Sequence, residues 1–250
     1  MSIITNATEI IGEARGAALV ISCDHASNRV PDAVNNGSLG LNDNDMARHI
    51  AYDVGAAGVS RHLACLLDAP VILSRFSRLV IDPNRGEDDP TLVMQLYDGT
   101  IIPANRALSE ADLAARTRTL YRPYHAAFAK LMAARKNPIL IVIHSFTPQL
   151  EGRPKRPWQV GVLFVKQDQR LSTPLIELLR AEDDICVGAN EPYDGHLPGD
   201  SVERHALLQN RPNILIELRN DLIRDDAQQR HWAERLAPLI TGAIAAANLT

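Results

Sequence analysis

Residues 141–149 read IVIHSFTPQ, and the apolar run that begins this stretch ends abruptly in His144 and Ser145. Consecutive β-branched residues followed by polar ones are typical of a strand buried in a sheet. We therefore predict a strand over residues 138–143. A histidine directly after such a strand is either a core residue with a hydrogen-bonded ring or a metal ligand. Taken alone, His144 favours the first interpretation.

Short apolar runs alternate with helical patterns along the rest of the chain. Continuous apolar strands separated by helices are typical of a mostly parallel sheet that is covered by helices. No repeat or linker divides the sequence, so we predict one α/β domain over residues 1–250, with a mostly parallel mixed sheet flanked by helices. The predicted strands are residues 17–23, 71–74, 78–81, 138–143, 159–165, 185–187 and 214–218. The main predicted helices are 45–67, whose later part is a second helical segment, 109–135 with a kink or break at Pro123, 173–180 and 225–247.

Composition excludes several classes of protein. A net charge of -4 argues against a general nucleic-acid binder, which would carry a basic excess. No stretch of about 18 residues is apolar enough to predict a membrane span. The N-terminus lacks the pattern of a secretory signal, and the three cysteines are widely spaced. We therefore expect a cytoplasmic protein with reduced thiols, whose oligomeric state the sequence does not indicate.

Chemically reactive side chains follow the predicted strands. Ligands of open α/β sheets bind outside the carboxyl ends of the strands. His25 and His144 follow two strands, Arg85 lies four residues beyond a third, and Glu217 lies within a fourth. His25 and Arg85 could each be an ordinary turn residue. A buried Glu217 costs several kcal/mol unless it has a partner, which could be Arg219 on the same face, a metal or a ligand pocket.

Taken together, the four residues suit a hydrolytic metal site. Catalytic zinc commonly takes two histidines and one oxygen ligand and keeps an open position for water. A glutamate beside that water can act as a general base, and an arginine can bind a carboxylate or stabilise an anion. No glycine-rich phosphate loop follows any strand, so a nucleotide-binding protein has little support.

Several motifs resemble known families. IHSFTP, IELRND and DPNR resemble the segments of zinc carboxypeptidases that hold a histidine ligand, the catalytic glutamate and an Asn-Arg pair. The whole set resembles the N-formylglutamate amidohydrolase family over roughly residues 17–245. The motifs that carry this resemblance are CDHASNRVP (23–31), SRLVIDPNR (77–85), YDGTIIPANR (97–106), IHSFTP (143–148), NEPYDG (190–195) and IELRNDLI (216–223).

The resemblance implies a zinc-carboxypeptidase-like fold (the phosphorylase/hydrolase-like type) and a zinc site. His25 and His144 become zinc ligands. Asn28 stands where the carboxypeptidases have a glutamate ligand, and its carbonyl oxygen can reach a metal. Asp24 is the alternative ligand, or a partner that orients one of the histidines.

The resemblance also assigns the substrate side of the site. Glu217 becomes the general base, and Arg85 with Asn84 binds the α-carboxylate. Arg78 is the candidate for holding the side-chain carboxylate or the oxyanion. Ser145 and the loop residue Tyr193 also become substrate-binding residues.

These assignments predict a zinc-dependent amidohydrolase that acts on linear amide bonds of a small anionic substrate. The lead substrate is N-formyl-L-glutamate, and the products would be formate and L-glutamate. One alternative is a protein of the same fold that binds a carboxylated small molecule or peptide with little or no hydrolysis. Another is a carboxypeptidase-like peptidase. The other histidines, including His49, His125 and His205, are expected to be surface or packing residues. The basic stretch 153–157 is expected to be a solvated loop near the site.

Overall fold

The computed structural model describes residues 2–150, 152–195 and 197–249, and a mixed sheet of eight strands forms its centre. The strands of the chain are β1 (Ser2–Ile4), β2 (Thr8–Ile11), β3 (Leu19–Cys23), β4 (Val71–Ser74), β5 (Leu96–Tyr97), β6 (Thr100–Ile101), β7 (Ile139–Phe146), β8 (Val160–Leu163), β9 (Val187–Ala189) and β10 (Asn213–Arg219). The order in the large sheet is β1-β2-β4-β3-β7-β10-β8-β9, and β5 pairs with β6 in a separate hairpin. The central strands β4, β3, β7 and β10 run parallel, which confirms the predicted fold class.

Helices cover both faces of this sheet. They are α1 (Asp43–Met46), α2 (Ala56–Leu66), α3 (Pro103–Arg106), α4 (Glu110–Arg116), α5 (Arg122–Ala133), α6 (Ser172–Arg180), α7 (Ser201–His205) and α8 (Asp226–Ala246). One apolar core lies between the sheet and α2, α6 and α8, and a second lies between the sheet and α5 with the long segment before it. Among the described residues, no helix is both long and apolar enough to cross a bilayer.

Alternation along the central strands decides which side chains share a face. Ile141 and Ile143 of β7 pack into the first core, whereas Val142 packs into the second. His144 therefore lies on the second face, at the carboxyl end of the strand. Glu217 of β10 is paired in register with His144 across the parallel ladder. The two polar side chains consequently stand side by side on one face of the sheet.

The predicted strand over residues 78–81 is wrong, because this run forms a buried turn beyond β4. The amide of Asn105 donates to the Leu79 carbonyl oxygen at 2.7 Å, and the Arg116 guanidinium donates to the Val80 carbonyl oxygen at 2.8 Å. A short apolar run signals burial and does not by itself distinguish a strand from a buried turn. The predicted helix 109–135 is interrupted by a π-helical turn over Thr117–Tyr121, just before Pro123, where the sequence predicts a kink or break.

Candidate active site

His25, Asp53 and His144 form a buried cluster at the carboxyl ends of β3 and β7. The Nδ1 atom of His144 lies 2.7 Å from Asp53 Oδ2, and the Nδ1 atom of His25 lies 3.4 Å from the same oxygen. The two imidazole rings meet edge to face, with their centroids 4.9 Å apart. Two imidazole nitrogens and a carboxylate oxygen thus converge on one point.

The other ring nitrogen of each histidine faces a second carboxylate. The Nε2 of His25 lies 2.7 Å from Asp82 Oδ1, and the Nε2 of His144 lies 3.6 Å from Asp24 Oδ2. At hydrogen-bond distance, Asp82 favours the His25 tautomer whose proton is on Nε2, which leaves the Nδ1 lone pair of His25 free for a metal. The hydrogen-bonded nitrogen of His144 is instead Nδ1, which pairs with Asp53. The buried Nδ1 of His25 has no hydrogen-bond partner among the residues that the structure describes. The donor set therefore fits a divalent metal such as zinc, with a position left open for water.

Asp53 reaches this cluster from the turn between α1 and α2. Its backbone N–H donates to the His25 carbonyl oxygen at 2.9 Å, and the Ser145 N–H donates to Asp53 Oδ2 at 3.2 Å. The Ser145 hydroxyl donates to the Val54 carbonyl oxygen at 2.9 Å. Ser145, which the sequence assigned to the substrate, therefore fixes the Asp53 carboxylate and the turn that carries it, and it also lines the cavity beside the cluster.

The structure does not bring Asn28 to the histidines. After His25 the chain turns away from the sheet edge, so Asn28 is exposed and its side-chain amide donates to the Met46 carbonyl oxygen at 2.9 Å. Asp53 takes the place that the sequence assigned to Asn28. Asp24 lies behind His144, where it also accepts a hydrogen bond from the hydroxyl of the buried Tyr124.

Glu217 lines a cavity of about 530 Å³ that opens beside the cluster. Burial, followed by the nearby charge of Asp53, raises the pKa of Glu217 to about 7, against the opposing charge of His144. Its Oε2 atom has no hydrogen-bond partner among residues 2–150, 152–195 and 197–249. The alternative partner, Arg219, instead donates to Asp221 Oδ1 at 2.8 Å, so no ion pair within the described part of the chain accounts for the buried Glu217.

The two arginines that line the cavity differ in their partners. Arg78 forms ion pairs with Asp82 at 3.1 Å and with Asp53 at 3.5 Å, so its charge is balanced by the carboxylates around the cluster. Arg85 donates only to the Thr91 hydroxyl and to a backbone carbonyl oxygen, and within the described ranges no carboxylate forms an ion pair with it. Arg85 is therefore the cation of this wall that can bind an anion.

Asn84 and Tyr193, which the sequence assigned to substrate binding, also line the cavity. Asn84 is buried, and its Oδ1 accepts the Ser201 N–H at 3.2 Å, which leaves its amide nitrogen for a ligand. Tyr193 lies at the mouth with 40% of its surface exposed.

Sequence reasoning missed Asp53 and Asp82 beside the histidines, and also His49 and Tyr97 of the cavity wall. His49 is half-buried, and its Nδ1 lies 3.4 Å from Asp53 Oδ1; burial lowers the pKa of His49 to about 4 despite that carboxylate. Tyr97, from the β5–β6 hairpin, places its ring against the Arg78 guanidinium. A signal for Asp53 did exist, because it lies three residues after Ile50, on the apolar stripe of the predicted helix.

Comparison with known proteins identifies the family that this chain matches. The family model described as N-formylglutamate amidohydrolase matches residues 17–224. The crystal structure of a gene product from Agrobacterium tumefaciens is 33% identical with a TM-score of 0.88, and the match covers 96% of this chain and 95% of that chain. No curated protein matches the chain.

Two more distant structures show the fold alone. An N-formylglutamate amidohydrolase from Ralstonia eutropha is 19% identical with a TM-score of 0.65, and 98% of each chain is covered. A bacteriophage poly-gamma-glutamate hydrolase is 11% identical with a TM-score of 0.50, and the match covers 97% of this chain and 90% of that chain. The single α/β fold expected from the sequence, with a mostly parallel mixed sheet flanked by helices, is shared by both structures.

Proposed function

This chain belongs to the N-formylglutamate amidohydrolase family, and from this premise we propose that it is a zinc-dependent amidohydrolase for small N-acyl acidic amino acids. The lead substrate is N-formyl-L-glutamate, which water would cleave to formate and L-glutamate. The observation that carries the proposal is the convergence of two histidine Nδ1 atoms and Asp53 on one point beside a buried glutamate.

His25, Asp53 and His144 would hold the metal. A zinc ion bound there would polarise the acyl carbonyl group and lower the pKa of a water molecule. Asp82 holds the His25 ring in the tautomer that presents Nδ1, and Asp24 lies 3.6 Å behind the Nε2 atom of His144. We assign to Arg78 the role of holding Asp53 and Asp82 in place, because both carboxylates pair with it.

Glu217 is the proton carrier of the proposed reaction. Because its pKa is raised to about 7, this carboxylate can accept a proton from the attacking water near neutral pH. The same proton then passes to the leaving amide nitrogen as the carbon–nitrogen bond breaks. The unpartnered Oε2 atom is the atom that can hold the proton between the two transfers.

Arg85 and Asn84 bind the α-carboxylate of the substrate in this proposal. The Arg85 guanidinium has no carboxylate partner in the described part of the chain, and the amide nitrogen of Asn84 is a second donor beside it. A carboxylate bound by a guanidinium fork is fixed in orientation as well as in position. The acyl group is thereby held at a defined distance from Glu217.

The test is formate release from N-formyl-L-glutamate by protein that has been stripped of metal and then restored with zinc. We expect activity only after restoration, and we expect Glu217→Gln to lower kcat by about 10²- to 10⁴-fold with zinc binding unchanged. Failure to release formate, and failure to hydrolyse other N-acyl amino acids, would refute the proposal. Tight binding of the substrate without hydrolysis would favour the binding protein, and cleavage of peptides would favour the peptidase.

A further inference from the structure

Arg156 belongs to the basic stretch 153–157, but it is not a solvated side chain. It is half-buried, and its guanidinium lies 5.6 Å from the ring centroid of Phe146 and 5.1 Å from that of Tyr193. Its NH1 donates to the backbone and hydroxyl oxygens of Thr147 at 2.9 and 3.1 Å, and its NH2 donates to the Tyr193 hydroxyl at 3.2 Å. The guanidinium is therefore held in a defined position.

The backbone at this position is also fixed. The Arg156 N–H donates to the Pro148 carbonyl oxygen at 2.8 Å, and the Arg156 carbonyl oxygen accepts from the Arg219 guanidinium at 3.3 Å. By contrast, its neighbours Arg153 and Lys155 are exposed. Several hydrogen bonds and ring contacts thus orient this one arginine of the basic loop.

The charge of Arg156 is not balanced by an acidic partner. No carboxylate forms an ion pair with it among residues 2–150, 152–195 and 197–249, and its hydrogen bonds go to neutral oxygens only. A half-buried guanidinium gains most from a carboxylate that approaches its unused N–H groups. In this respect Arg156 resembles Arg85 and differs from Arg78.

Arg156 lies close enough to the cavity to act on its contents. Its partner Tyr193 lines the cavity mouth, and its other ring contact, Phe146, follows Ser145 of the cavity wall. Its charge is also one of those that oppose the rise in the pKa of the buried Glu217.

We propose that Arg156, together with the Tyr193 hydroxyl, binds the side-chain carboxylate of the substrate and so selects N-acyl amino acids that carry two carboxylates. This inference rests on the proposed function, in which Arg85 takes the α-carboxylate. Arg156 replaces Arg78 in the role of the second arginine, because Arg78 is already paired with Asp53 and Asp82.

The neutral amide N-formyl-L-glutamine is the probe for this role, because it matches N-formyl-L-glutamate in shape. A site that is built to bind a charged group discriminates against an analogue that leaves its buried donors unpaired. Hydrogen bonds to a charged group contribute more binding free energy than those to a neutral group. We therefore predict that kcat/KM is about 10- to 100-fold higher for the glutamate derivative.

The experiment measures kcat/KM for both substrates in the zinc-loaded protein and in variants. The quantity compared is the ratio of kcat/KM for N-formyl-L-glutamate to kcat/KM for N-formyl-L-glutamine. Arg156→Met should bring this ratio close to one, while kcat/KM for the glutamine derivative changes little. Arg85→Met should lower both values in parallel, because both substrates carry the α-carboxylate. Tyr193→Phe, which removes only the hydroxyl of an exposed side chain, should lower the ratio by a smaller factor.

Arg153→Met is the matched control. Arg153 lies three residues before Arg156 and is exposed, so this substitution removes the same positive charge from a solvated side chain. It should leave the ratio unchanged. A wild-type ratio near one would overturn the inference. So would an Arg156→Met variant that retains the wild-type ratio, or an Arg153→Met variant whose ratio falls as far as that of Arg156→Met. Hydrolysis of neither substrate by the wild-type protein would overturn the proposed function itself, which separates the two failures.

Discussion

At the scale of the residue, the proposed metal site differs from the one expected from the sequence in its third ligand. Asp53 is buried between two histidines, whereas Asn28 is exposed and bonded to the Met46 carbonyl oxygen. An ionised carboxylate is also a stronger ligand for a divalent cation than a neutral amide oxygen is.

Asp53→Asn should therefore abolish tight zinc binding. We expect the affinity to fall by at least about 100-fold, the upper end of the losses seen when outer partners of a metal site are removed. Competition with a chromophoric chelator measures this affinity. Asn28→Ala is the control and should bind zinc as the wild type does; a large loss in Asn28→Ala with little change in Asp53→Asn would show that our ligand set is wrong.

The residues that could be predicted from the sequence were those next to recognisable strands. His144 and Glu217 end or interrupt apolar runs, and parallel pairing places them side by side. Asp53 lies in a turn 28 residues beyond His25, and only the packing of that turn against the end of β7 brings it to the site. The periodicity of apolar residues could show that Asp53 lies on an apolar stripe, but it could not show which residues Asp53 contacts in the folded protein.

At the scale of the element, the site depends on turns more than on strands. Arg78 and Asp82 lie on a buried turn, where the sequence predicted a strand end. The positions of these side chains come from tertiary hydrogen bonds to that turn, such as the one from Arg116, and periodicity carries no information about such bonds.

Gly55, at the start of α2, should be intolerant of a side chain. Its φ is +81°, and an added Cβ would lie 2.1 Å from the Ile223 carbonyl oxygen. Left-handed backbone costs a residue with a Cβ about 1–2 kcal/mol, and the backbone clash adds to this cost. Gly55→Ala should therefore lower the free energy of unfolding by more than about 1 kcal/mol in a urea titration.

Gly16→Ala is the matched control for this substitution, because no atom lies within 4 Å of its added Cβ. We expect the urea concentration at the midpoint of unfolding of Gly16→Ala to stay close to that of the wild type. Equal midpoints for Gly55→Ala and Gly16→Ala would contradict the constraint that we place on the turn following Asp53.

At the scale of the whole molecule, a buried histidine pair links stability to pH. His125 of α5 and His205 of α7 share a hydrogen bond of 2.9 Å, and burial lowers their pKa values to about 3 and about 4. An unfolded histidine titrates near about 6.5. Between these values the unfolded chain binds more protons than the folded one, so stability must fall as the pH falls below about 6.5.

His205→Phe should reduce this pH dependence. Each such histidine contributes about 1.4 kcal/mol per pH unit to the slope of the unfolding free energy, and phenylalanine can still stack on Phe128. Urea titrations at pH 5 and pH 7, in the presence of a chelator, measure the slope. The exposed His231→Asn is the control, and a wild-type slope in His205→Phe would contradict the assignment of the pair as neutral.

The account as a whole depends on where the metal binds, and anomalous scattering at the zinc edge from a crystal of zinc-loaded protein measures this directly. We predict one peak about 2.0–2.2 Å from the Nδ1 atoms of His25 and His144 and from a carboxylate oxygen of Asp53. A peak coordinated by Asn28 or by the Nε2 atoms, or the absence of a peak between the two histidines, would contradict it.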